Sequence, residues 1–132
     1  MPTLLDTSGI LPFIDEKDPD HQRLVNTIRM LLRDGEELVT HNYIIVESLA
    51  LVGNRYGLQM VRRVEANVVP LLTIEWVDPT LHATAMGMLL VANQRRLSLV
   101  DCVSFAVMRQ RGITTAIAID RHFEEQGFRC LP

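Results

Sequence analysis

Four acidic residues sit where their surroundings oppose a charge. Asp6 follows directly on the apolar run TLL, Glu47 stands inside YIIVESLALV, Asp101 inside RLSLVDCVSFAVM, and Asp120 closes TTAIAID. An ionised carboxyl beside apolar neighbours loses hydration unless a cation, hydrogen-bond donors or solvent compensates for it. Carboxylates gathered in one place also repel and raise one another's pKa, and a divalent cation among them removes that repulsion. An all-oxygen ligand set of this kind suits Mg²⁺ or Mn²⁺ better than Zn²⁺.

Each acid also has a purely structural reading. Asp6 and Asp120 follow strand-like segments and fit caps on the elements after them. Ser98-x-x-Asp101 follows the capping-box pattern with Asp in place of Glu or Gln, a geometry that also aims Asp101 beyond the helix N-terminus. Glu47 has Ala50 and Leu51 at i+3 and i+4, so its own helix offers no cation and only Ser48 adjoins it as a polar partner. An acid so placed points to a site role.

The elements that must position these residues alternate between strand and helix. Thr3–Asp6, Leu38–Thr40, Leu72–Val77, Thr114–Ile119 and Phe128–Leu131 read as strands, and the β-branched TTAIAI run fits a strand covered on both faces. His21–Arg33 reads as an amphipathic helix with Leu24, Val25, Ile28, Leu31 and Leu32 inward and Asp20 as its cap. Further helices are expected over Tyr43–Arg55, over Leu58–Leu71 with fraying near Pro70, over Thr80–Asn93 behind Pro79, and from Ser98 to Arg111. Strand–helix alternation predicts an α/β fold with a parallel sheet and right-handed crossovers. Asp6 and Asp120 would then lie at the carboxyl edge of that sheet, where open α/β folds bind ligands.

Composition narrows the function classes. A length of 132 residues predicts one domain over 1–132, and turn signals such as Asp34-Gly35 and Arg111-Gly112 punctuate it without forming a linker. The net charge of −3 gives no general attraction to nucleic acid, so a polyanionic substrate needs local help. No membrane span or signal-type leader is expected, which makes the cytoplasm the default compartment. Cys102 and Cys130 form no CxxC pair and read as reduced core thiols. Lys17 is the only lysine and lies early in the chain, which disfavours a receiver-type phosphoacceptor domain needing a late-strand lysine. Arg95, Arg96, Arg109, Arg111 and Arg121 flank the last two acidic motifs. They read either as guides for a bound strand or as solvated surface, and His122 either touches substrate or is structural.

Taken in order, LLDTS, HNYIIVESLALV, RLSLVDCVSFAVM and AIDRHFEEQGF resemble the successive motifs of the PIN-domain ribonucleases, in particular the VapC toxins of toxin–antitoxin pairs. The resemblance runs from Thr3 to Cys130. It implies a three-layer α/β/α sandwich with a parallel sheet of order 3-2-1-4-5, and it matches Asp6, Glu47, Asp101 and Asp120 to the family's acidic quartet. Ser8 is carried over as an auxiliary water or substrate contact. Two departures stand out: Ala118 replaces the Thr or Ser many relatives carry two positions before the last acid, and Pro12 interrupts the short helix after Asp6.

The resemblance implies Mg²⁺- or Mn²⁺-dependent hydrolysis of RNA phosphodiester bonds. Asp6 and Asp101 would be the principal ligands, with Asp120 and Glu47 as ligands or water-positioning bases. It also implies a cognate small DNA-binding antitoxin and a homodimer. A free-standing RNA-processing nuclease and a catalytically inactive PIN binding module are the alternative roles.

Overall fold

The computed structural model describes residues 1–132. Its strands are β1 (Thr3–Leu5), β2 (Leu38–His41), β3 (Thr73–Glu75), β4 (Thr115–Ile117) and β5 (Arg129–Leu131). Its helices are α1 (Thr7–Ile14), α2 (His21–Arg33), α3 (Asn42–Tyr56), α4 (Leu58–Asn67), α5 (Pro79–Ala92), α6 (Leu99–Arg111) and α7 (His122–Glu125). The strands form one sheet in the order β3-β2-β1-β4-β5. Every pairing is parallel, with Leu4 opposite Val39 on one side and Ala116 on the other.

This order dictates where a crevice opens. The connections from β1 to β2 and from β2 to β3 step one way along the sheet, whereas those from β3 to β4 and from β4 to β5 step the other. Right-handed crossovers therefore place α1–α4 on one face and α5–α7 on the opposite face. The packing agrees, because α1 contacts α2 and α3, α3 contacts α4, and α5 contacts α6. The reversal falls between β1 and β4, and connections leaving in opposite directions leave a gap beyond their carboxyl ends.

The main core joins Leu4 and Leu5 of β1, Val39 of β2, Ala116 and Ile117 of β4, Leu24 and Ile28 of α2, and most of α6. Residues Asp101–Met108 of α6 are all buried, so this helix is enclosed on every side and carries an acid inside the protein. Val52, Val64 and Val68 form a smaller cluster where α3 meets α4.

Several local expectations are corrected. The helix expected over Leu58–Leu71 ends at Asn67, and a single 3₁₀ turn at Val69–Leu71 follows, because Pro70 has no N–H to continue the ladder. Leu32 is 37% exposed, since Leu24, Ile28 and Leu31 already form the buried stripe of α2. Asp20 precedes α2 without capping it and instead pairs with Arg23 at 2.9 Å. The TTAIAI run is a strand only over Thr115–Ile117, though the Thr114 carbonyl still accepts from the Arg129 N–H and the Ala118 N–H still donates to the Leu131 carbonyl. Helix α1 continues through Pro12 to Ile14.

Candidate metal centre at the carboxyl edge

The crevice between β1 and β4 receives Asp6 from one strand and Asp120 from the segment after the other. Asp6 caps α1: its carboxylate accepts hydrogen bonds from the Ser8 N–H at 3.1 Å and the Ser8 hydroxyl at 2.7 Å. The Asp6 N–H donates to the Ile117 carbonyl at 3.1 Å, which ties its backbone to the end of β4. Gly9 permits this approach. A Cβ there would meet the Ile117 carbonyl oxygen at 2.8 Å and Ile117 Cγ2 at 2.9 Å, so the first turn of α1 sits flush against β4 only because the side chain is missing.

Ser8 is committed twice. Besides donating to Asp6, its hydroxyl oxygen accepts from the Ile119 N–H at 3.0 Å. That bond fixes the segment leading to Asp120, beside Ala118, whose own side chain offers no hydroxyl. Thr7 and Ser48 tie α1 to α3, the Ser48 hydroxyl donating to Thr7 Oγ1 at 3.1 Å.

Asp101 enters from α6 through a complete capping box. The Asp101 N–H donates to Ser98 Oγ at 3.1 Å, and the Ser98 N–H donates back to Asp101 Oδ2 at 3.0 Å. Both sequence readings of Asp101 therefore hold together: it completes the cap and remains part of the acid cluster. Asp101, Asp120 and His122 each offer a ligand atom, all within 4.8 Å of one another. Asp120 accepts from the His122 N–H at 2.9 Å, and its Oδ1 lies 3.5 Å from His122 Nε2.

The electrostatics are those of a crowded, dehydrated acid pair. Asp6, 4% exposed, has its carboxyl pushed up to about 6 by burial, against the lowering effect of the Ser8 hydrogen bonds, with the Asp101 charge adding a smaller push upward. Burial also raises Asp101, while its Ser98 hydrogen bonds lower it; Asp120 pushes it up further and His122 pulls it down. The protein thus supplies less positive charge here than its carboxylates call for. Two oxygen ligands and an imidazole in reach of one another, backed by a buried third carboxyl, fit a divalent cation.

Glu47 stands apart from this group. It is half-buried on α3, and the cluster of Asp101, Asp120 and His122 includes neither it nor Asp6; Asp6 is joined to that cluster through the Asp101 charge and the Ser8–Ile119 hydrogen bond. His122 is the residue whose part in the cluster the sequence did not reveal. Only the turn through Asp120 and Arg121 and the four-residue α7 bring its ring to the acids, and so short a helix leaves no periodic trace.

These features define a small parallel α/β protein with an acidic centre at the switch point of its sheet, and the chain belongs to the PIN domain family, whose family model matches residues 3–129. Among curated proteins, it is 33% identical over 92 residues to the "23S rRNA-specific endonuclease VapC20" of Mycobacterium tuberculosis, in strains CDC 1551 / Oshkosh and ATCC 25618 / H37Rv, covering 69% of this chain and 70% of that protein. The crystal structure of Mycobacterium tuberculosis VapC20, described as a sarcin-ricin loop cleaving toxin, superposes with a TM-score of 0.82 at 27% identity over 96% of this chain and 95% of that one. FitAcB from Neisseria gonorrhoeae has the same fold, with a TM-score of 0.73 at 17% identity over 100% of this chain and 97% of its own.

Proposed function

We infer that this chain, as one PIN domain over 1–132, is a divalent-metal-dependent endoribonuclease and the toxin of a toxin–antitoxin pair. The observation that carries the reading is the cluster of Asp101, Asp120 and His122 at the carboxyl edge, with the buried Asp6 carboxyl close enough to Asp101 for that charge to help raise its pKa. Mg²⁺ or Mn²⁺ bound there would lower the pKa of a coordinated water and offset charge building on a phosphate.

The side chains divide the remaining work. Asp6 and Asp101 would hold the cation, and Ser8 and Ser98 fix those two carboxylates in place. Asp120, steadied by the His122 N–H, would complete the ligand set. Glu47, which stands on α3 outside the cluster, is assigned the role of positioning the attacking water or accepting its proton. Ser8 contributes through Asp6 and Ile119 rather than through substrate, because its hydroxyl is already engaged on both sides.

The relative's printed specificity makes 23S rRNA the first RNA to test. Purified protein should cut it with Mg²⁺ or Mn²⁺ and stop in EDTA, leaving 5′-phosphate and 3′-hydroxyl ends. Undiminished cutting in chelator, or 2′,3′-cyclic phosphate ends, would overturn the metal mechanism. For the toxin role, expression should slow growth, and co-expression of an adjacent small DNA-binding antitoxin should restore it. Arrest of equal strength by Asp6→Asn would separate toxicity from cleavage. The RNA substrate places the action in the cytoplasm, and no helix is long and apolar enough to cross a membrane. The two free cysteines suit that compartment. A homodimer belongs to the same reading, and sedimentation of the purified protein tests it.

A further inference from the structure

The arginines that flank the acidic motifs separate into two groups once they are placed in three dimensions. Arg109 lies over the Phe105 and Phe128 rings, 5.9 and 5.4 Å from their centroids, and donates to Gln126 at 2.8 Å. Arg111 pairs with Glu37 at 3.2 Å and approaches Glu75 at 4.0 Å. Both guanidiniums are thus occupied by the protein itself. Arg95, Arg96 and Arg121 are exposed and enter no ion pair.

Those three unpaired arginines line a single groove of about 720 Å³. Gln94, Arg95 and Arg96 come from the α5–α6 connection, and Asp120, Arg121 and His122 from the segment after β4. Not one residue of its lining is hydrophobic. Pockets for small organic ligands span roughly 300–1,000 Å³ but are lined mainly by apolar and aromatic side chains, so this groove has the size of such a site without its chemistry. Its guanidiniums outnumber its carboxylates, Asp120 and Glu125. Planar guanidiniums favour bidentate contact with phosphate. The groove also begins at the acid centre, because Asp120 and His122 belong to both.

We propose that Arg95, Arg96 and Arg121 form the RNA-backbone track of this enzyme, holding phosphates beside the scissile one and so setting which strand segment reaches the acids. The proposal deepens the nuclease reading and rests on it. It accounts for how a chain of net charge −3 binds a polyanion: the help is local and lies next to the reacting group. Their role is to bind and orient the strand, not to stabilise the chemistry of its cleavage.

The test measures kcat and KM on a labelled RNA that the wild type cuts, with Mn²⁺, over a range of KCl. Variants are the triple Arg95→Ala/Arg96→Ala/Arg121→Ala, the corresponding triple Lys replacement, and Arg109→Ala as a control. Each phosphate neutralised on a single strand contributes about 0.7 to the slope of log affinity against log salt. The triple Ala variant should therefore lose about two from the slope of kcat/KM and show a KM raised roughly 10- to 100-fold, with kcat within about twofold. The triple Lys variant should keep the slope, and Arg109→Ala should match the wild type in both. The rise in melting temperature on adding Mn²⁺ should be the same in all, showing the metal centre intact. An unchanged slope and KM in a triple Ala variant that still cuts RNA would overturn the track while leaving the nuclease reading in place. An unchanged slope with lost inhibition by the antitoxin would assign the groove to that protein instead, and overturn the proposal. A wild type that cuts no RNA would overturn both.

Discussion

Asp6→Asn puts the metal-centre argument under direct thermodynamic strain, because it predicts a gain in stability from damage to the active site. In the folded protein the Asp6 carboxyl titrates near 6 against an ordinary 3.8, so the folded state holds that proton more tightly than the unfolded state does. Between about pH 4 and pH 6 the unfolded chain has fewer protons bound, and stability falls as pH rises through that window. At about 1.36 kcal/mol per pKa unit, the penalty fully present above pH 6 reaches about 3 kcal/mol. Asn keeps an oxygen for the Ser8 N–H and hydroxyl, and the value near 6 already includes what the charge adds to those two bonds, so they take nothing further from the gain. The expectation in EDTA at pH 7 is a variant more stable by up to about 3 kcal/mol, or roughly 10 °C in melting temperature. That advantage should vanish near pH 4. Saturating Mg²⁺ or Mn²⁺ should then reverse the order, since ligand at about 1,000 times its Kd stabilises the wild type by about 4.1 kcal/mol and the variant much less. Thermal melts of both proteins across pH, with and without metal, decide it. A variant less stable than wild type at pH 7 in EDTA, or a difference independent of pH, would refute the claim that buried charge at Asp6 is uncompensated without metal.

The remaining predictions probe the frame around the centre. His41 is fully buried, accepts from the Ile44 N–H and lies 2.8 Å from the Ser104 hydroxyl; burial holds its pKa down at about 3. Its folded pKa lies below the unfolded value of 6.5, so it contributes stability that is lost as pH falls from about 6.5 toward 3, by up to several kcal/mol. His41→Asn should lower stability at pH 7 by about 1–2 kcal/mol yet flatten that acid limb in urea titrations, and an unaltered limb would exclude the role. Gly9→Ala should destabilise by about 1–3 kcal/mol and lower kcat by displacing Asp6 from the Ile117 carbonyl, whereas Gly87→Ala, exposed inside α5 with open space around it, should gain about 0.5–1 kcal/mol and leave kcat unchanged. Asp101→Asn and Asp101→Ala should both abolish cleavage, but only Ala, lacking an acceptor for the Ser98 N–H, should lose about 1 kcal/mol of helix capping in chemical denaturation.

What the sequence disclosed and what it withheld divide along one physical line. Strand-to-helix alternation makes a parallel sheet, and a parallel sheet puts every strand's carboxyl end on the same edge, so an acid following TLL and another following TTAIAI are bound to arrive there together. Asp101 was legible for a related reason: a capping box fixes a side chain relative to its own helix terminus, with no reference to the rest of the chain. The strand order itself was visible only through the resemblance, since periodicity carries no information on which strand neighbours which. Contacts between separate elements left no local signal. Ser8 reaching the Ile119 N–H, His122 coming within reach of Asp101, and the sorting of Arg109 and Arg111 away from Arg95, Arg96 and Arg121 all depend on backbone placement between elements. Glu47 shows the converse. Its apolar neighbours marked it as unusual, and it is half-buried as that implied, yet a helix pattern fixes only the face on which a residue lies. Whether α3 delivers that face to the acids depends on how α1 and α3 pack, through Thr7 and Ser48, and those contacts are made by uncharged residues whose importance no motif announces.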